Sequence, residues 1–124
     1  MKMQIREFNP VIYPYKLWVV IGGAPSEIPD SFLGYDGKEI DNNDTSNLEA
    51  FTMPVMDKGK NSYGVVIYFV SKKVMTCCAI AHESSHAAKF LFEHIGADMK
   101  EHEPFEYVVG WIADCCEKAR KNKE

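Results

Sequence analysis

Residues 63–70, Tyr-Gly-Val-Val-Ile-Tyr-Phe-Val, constrain the fold of this chain more than any other stretch. β-Branched and aromatic side chains dominate the run, and these fit a pleated, buried surface. A strand sends successive side chains to opposite faces, so a nearly unbroken apolar run calls for cover on both. Residues 16–21, Lys-Leu-Trp-Val-Val-Ile, read as a second strand that stops at Gly22-Gly23. Pro10 and Pro14 ahead of it give an irregular or edge approach. Residues 50–56 form a weaker third strand, with Pro54 favouring an edge. The turn formers of 57–62 join it to 63–70 as a hairpin. Most other turn formers lie between 22 and 47, an acidic loop region with a short helical turn expected around 30–33. Irregular segments of that length often border a binding site.

The second half of the chain is helical. Thr76 caps a helix that Gly96 ends, and Cys77, Ile80, Ala87, Ala88, Leu91 and Ile95 form its apolar stripe. A second helix over 103–120 carries Phe105, Val108, Val109, Ile112, Cys116 and Ala119 on one face, with Pro104 in its first turn. Strands first and two antiparallel helices last predict an α+β domain, the helices packed on one side of a small, mostly antiparallel sheet. At 124 residues the whole chain, 1–124, reads as one domain able to bury a core.

Composition narrows the function classes. A net charge of −4 argues against nucleic-acid binding, and the cluster Lys118, Arg120, Lys121 and Lys123 reads as a basic helix end. No stretch has the length of a transmembrane span, and residues 1–7 lack the apolar core of a secretory signal, which together predict a cytoplasmic protein. The vicinal pairs Cys77-Cys78 and Cys115-Cys116 lack the C-x-x-C spacing of structural zinc sites and read as small buried hydrophobes on the two helices.

The first helix also carries His82-Glu83-Ser84-Ser85-His86, an H-E-x-x-H. Histidines four apart on a helix stack on adjacent turns, with Cβ atoms about 5–6 Å apart, so both imidazoles can reach one zinc ion. Both fall opposite the apolar stripe. Glu83 leans to the same side, where it can act as general base on a zinc-activated water without entering the ion's ligand set.

A catalytic zinc site takes three protein ligands and keeps a position for water. The metzincin continuation would put glycine at Lys89 and histidine at Phe92, and neither is there. His94 is rotated from the pair by about 80–120° and reads as a polar residue near a helix end. A glutamate from the second helix remains, and Glu101, Glu103 and Glu106 are within range. Glu103 shares a face with Tyr107, Gly110 and Asp114, and a glycine there would permit close helix–helix approach. Glu106 is the alternative. Tyr63 and Tyr107 are candidate assisting groups, with buried packing the plainer role for each.

The blocks Ile80–Ala88, 92–96 and 103–112, with Phe8-Asn9-Pro10-Val11-Ile12-Tyr13-Pro14 and 17–20, resemble small phage- and prophage-encoded H-E-x-x-H zinc metallopeptidases. These look like a minimal gluzincin core, similar to the phage-immunity ImmA/IrrE-type enzymes. The resemblance implies a zincin-like fold and Zn2+ held by His82, His86 and a glutamate followed four residues later by an aromatic, which matches Glu103 and Tyr107. It implies Glu83 as the catalytic residue and a peptide or protein as substrate, the substrate strand pairing with 50–56 or with 72–75. The alternative is a non-enzymatic, zinc-stabilised phage regulatory or interaction module.

Overall fold

The computed structural model describes residues 2–40, 48–100 and 102–122. Five strands precede two helices: β1 (Gln4–Phe8), β2 (Lys16–Ile21), β3 (Phe32–Gly34), β4 (Ala50–Asp57), β5 (Tyr63–Phe69), α1 (Cys77–Ile95) and α2 (His102–Lys121). They form one sheet in the order β1-β2-β5-β4-β3. The β2–β5 pairing is parallel and the other three are antiparallel, so the α+β sheet is mixed.

The apolar run of 63–70 becomes the central strand, and both of its faces are covered as the sequence demands. Val65, Ile67 and Phe69 join Leu17, Val19 and Ile21 on one face, under the buried residues of α1 and α2. Val66 and Tyr68 join Trp18, Val20, Phe32, Phe51 and Val55 on the other, against Ile28. Both helices pack on the first face, α1 over β4 and β5 and α2 over β2. Arg6 Nη1 donates to the Lys118 carbonyl oxygen at 3.1 Å, placing a cation near the C-terminal end of α2, where the helix dipole favours one.

Three expectations are corrected. No helical turn spans 30–33: a 3-10 turn covers Pro25–Asp30, and Phe32–Gly34 is a strand paired with β4. Glu27 Oε2 accepts from the Ala24 N–H at 2.6 Å and Pro25 starts the turn, so the local chemistry acts five residues earlier. Phe32 is instead drawn into the sheet by the Trp18 ring, 5.0 Å away. Residues 72–74 form a 3-10 turn, so 72–75 offers no strand for a peptide to join. Cys77 and Cys78 are exposed, whereas Cys115 and Cys116 are buried. The first turn of α1 stands clear of the core, which the helix enters only at Ile80. Burial pushes the Cys115 and Cys116 thiols up to about 12.

Strand β1 has no counterpart among the expected strands: it pairs with residues 17–21 of β2, making β2 an interior strand. The approach to β2 is irregular as its prolines predict, and within it Val11 adopts φ 65°, unusual for a β-branched residue.

Candidate active site

The two ends of α1 are held by residues the sequence supplies. Thr76 Oγ1 accepts from the Ala79 N–H at 3.1 Å. Gly96 takes a left-handed conformation, φ 71°, and its N–H reaches the Phe92 and Glu93 carbonyls. Between them Ile80, Ser84, Ala87, Ala88 and Leu91 form the buried inner face. Three of the five are small, which lets the helix lie close to the sheet.

That inner face fixes the outer one. His82 and His86 are exposed, with ring centroids 4.7 Å apart and planes crossed at 80°. Their Nε2 atoms are 3.2 Å apart. Two nitrogens bound to one tetrahedral zinc at about 2.0–2.1 Å stand about 3.3 Å from each other. The pair therefore has the bite of a bidentate imidazole ligand, with the same ring nitrogen turned inward on each.

Glu83 points elsewhere. It is 7% exposed, and its Oε1 accepts from Thr52 Oγ1 at 2.6 Å. Thr52 lies opposite Ile67 in the β4–β5 ladder, on the face that carries the helices. One carboxylate oxygen is thus fixed by the sheet, and Oε2 remains for a second partner. His82 and Glu83 line one open cleft with Glu49, Lys73, Thr76 and Cys78. Thr52→Val keeps the side-chain shape and removes the donor, which should cost about 1–3 kcal/mol because a buried charged acceptor loses its bond. Chemical denaturation reads this, and Thr52→Ser should recover most of the loss.

The remaining candidates are not brought to the histidines. Among the described residues, no three His, Cys, Asp or Glu side chains come together as a group able to hold a metal ion. Glu101 lies outside the described residues. Glu103 is exposed, as are Tyr107, Gly110 and Asp114 on the same side of α2, so that side faces solvent. A Cβ added at Gly110 would meet nothing within 4 Å, which overturns the expectation that this glycine admits a neighbouring helix. The contact side of α2 is instead marked by Phe105, whose ring lies 5.3 Å from that of Phe92. His86 is six residues before Phe92, about 9 Å back along the axis of α1. Glu106 is exposed as well. Tyr107 is 75% exposed and lines a separate apolar groove with Trp111 and Leu91.

The chain matches no protein-family model, no curated protein and no solved structure. Among the described residues, no helix is long and apolar enough to cross a membrane.

A second polar cluster lies further along α1. His94, read from sequence as a helix-end residue, packs against Tyr15 at 4.7 Å and Tyr63 at 5.4 Å between ring centroids. Its Nδ1 is hydrogen-bonded to the Tyr35 hydroxyl. Tyr63 belongs to this cluster, its ring tilted against that of Tyr35 with centroids 4.9 Å apart. The Tyr15 hydroxyl is buried without a hydrogen-bond partner among the described residues. Burial, reinforced by Tyr35 and Glu93, pushes its pKa far up and keeps it protonated. Nothing local marks this cluster, because its tyrosines come from three separate segments.

Proposed function

We propose that the protein is a zinc-dependent peptide hydrolase whose centre is built on His82, Glu83 and His86. The observation that carries this reading is the 3.2 Å separation of two exposed imidazole nitrogens, one residue from a carboxylate that the sheet holds in place. Donor chemistry fits at the pair, because neutral imidazoles suit zinc. Glu103, the third ligand that the family resemblance implies, stands on the solvent side of α2 and is not brought to them, whereas Glu49 and Cys78 share the cleft of His82. Bound zinc supplies a water of lowered pKa and an electrophile for the substrate carbonyl oxygen.

The chain's own residues supply the proton handling. Thr52 fixes Glu83 Oε1, so Oε2 takes a proton from the attacking water and returns it to the leaving amine. Residues 50–54 of β4 pair with β5 on one side, and β3 covers only 55–57 on the other. Among the described residues that edge is open beside Glu83, and an extended peptide can add to it as a further strand.

Single alanine substitutions test the ligand set. With Glu103 as the third ligand, Glu103→Ala weakens zinc binding by more than the roughly 10–100-fold that loss of an outer-shell partner costs, while Glu106→Ala leaves it within a few fold. Competition against a chromophoric chelator measures both. Unchanged affinity in Glu103→Ala would move the third ligand to Glu49 or Cys78, which share the cleft with His82.

A further inference from the structure

A cavity of about 280 Å³ opens between the C-terminal half of α1 and the sheet, lined by Tyr15, Tyr35, Pro54, Phe90, Glu93 and His94. Its walls are largely aromatic. Its polar groups are unusual for a packing defect. The buried Tyr15 hydroxyl has no partner among the described residues, and Tyr15 is only 2% exposed. Glu93 is exposed and makes no ion pair among the described residues. Tyr35 and His94 are tied to each other.

We propose that this cavity receives a basic side chain, lysine or arginine, of a peptide bound along β4. Aromatic faces attract a cation within about 6 Å of the ring centroid, and the attraction strengthens when the cation is desolvated. Glu93 supplies the counter-charge, and the exposed Tyr35 hydroxyl, bonded to His94 on one side, keeps a lone pair that can accept an N–H bond from an ammonium or guanidinium group. An acidic side chain would meet Glu93 and is excluded. An aliphatic one would gain neither the pairing with Glu93 nor the attraction of a cation to the aromatic faces.

Position ties the cavity to the centre described above. Pro54 is two residues beyond Thr52 on the same face of β4, about 7 Å along the strand. A peptide whose backbone passes Thr52 and Glu83 would therefore present a side chain at the cavity one or two residues away. The substrate class, peptides with a basic residue near the cleaved bond, rests on the peptide-hydrolase reading; the cavity's preference for a cation does not.

The test is a two-dimensional NMR titration of the full chain, zinc-free, with Nα-acetyl-arginine methylamide. The norleucine and glutamate analogues serve as controls. Saturable shifts are expected at residues 35, 90, 93 and 94 with the arginine amide, at least tenfold weaker binding in Glu93→Gln, and no saturation with either control. His86→Ala should bind the arginine amide like wild type. Equal saturation by the norleucine amide, unchanged binding in Glu93→Gln, or no shifts at these residues would overturn the proposal. Digestion of a random peptide library by the zinc-loaded protein separates the two readings. Arginine-amide binding without cleavage keeps the cavity and removes the hydrolase. Cleavage with no basic preference and no amide binding does the reverse.

Discussion

Glu83→Gln is expected to lower peptide hydrolysis by about 10²–10⁴-fold while zinc affinity changes by no more than a few fold, because the role proposed for the residue is to move a proton without holding the ion. The substitution is conservative in this site. A glutamine carbonyl oxygen can still accept from Thr52 Oγ1, now 2.6 Å from Glu83 Oε1, so the side chain keeps its place against β4. What it loses is the ability to take a proton at the second oxygen. Steady-state cleavage of a peptide that the wild type hydrolyses, alongside zinc competition, reads both effects. Preserved hydrolysis would assign the base to another group, and loss of zinc would make Glu83 a ligand. A chain that binds zinc only as a structural or regulatory device would show no change in either.

Gly64→Ala should be the most damaging single methyl in the sheet. Gly64 pairs with Lys16 across the parallel β2–β5 ladder. A Cβ there would lie 2.5 Å from Trp18 Cζ3 and 2.9 Å from the Lys16 carbonyl carbon, and closer still to its oxygen. The backbone of a central strand cannot yield as a side-chain tip can, so the two interior strands must separate. Overpacking of this kind costs about 2–3 kcal/mol, a large share of the roughly 5–15 kcal/mol that holds a domain together. Thermal unfolding should fall by roughly 10 °C. Gly110→Ala provides the opposite sign: it meets nothing within 4 Å and should stabilise α2 by about 0.5–1 kcal/mol. A destabilised Gly110→Ala would mean that α2 packs by a different face.

The contrast between these two glycines shows what the sequence reveals and what it hides. A helix pattern placed Gly110 and Glu103 on one side of α2, and that grouping holds. Which way the side faces is a tertiary question. The Phe92–Phe105 contact and the burial of Val108, Ile112 and Cys116 answer it by turning the 103–114 face to solvent. Strands 16–21, 50–56 and 63–70 were legible because their apolar runs are long and bounded by glycine, proline and asparagine. Strand β1 was not. Its five residues alternate weakly between exposed and half-buried, and it exists because β2 offers it a full antiparallel register.

The site divides in the same way. The 3.6-residue period puts His82 and His86 together on the side of α1 away from its core, and the local spacing is enough to predict that. Thr52 stabilises Glu83 across 31 positions of sequence, and Tyr15 and Tyr35 reach His94 across longer gaps still. Single-chain periodicity carries no information about such contacts. They depend on the register of β4 against β5 and on how α1 settles above them.

Metal content tests the central claim most directly. Wild-type protein and His86→Ala, purified in parallel without added zinc, would be compared by elemental analysis and then by titration with zinc. His86 is exposed, so its replacement leaves the core intact and isolates the loss of one imidazole. Close to one equivalent of zinc in the wild type and almost none in His86→Ala is the predicted result. Equal, near-zero zinc in both proteins, before and after titration, would contradict it and leave the two histidines as an ordinary solvated pair on the surface of α1.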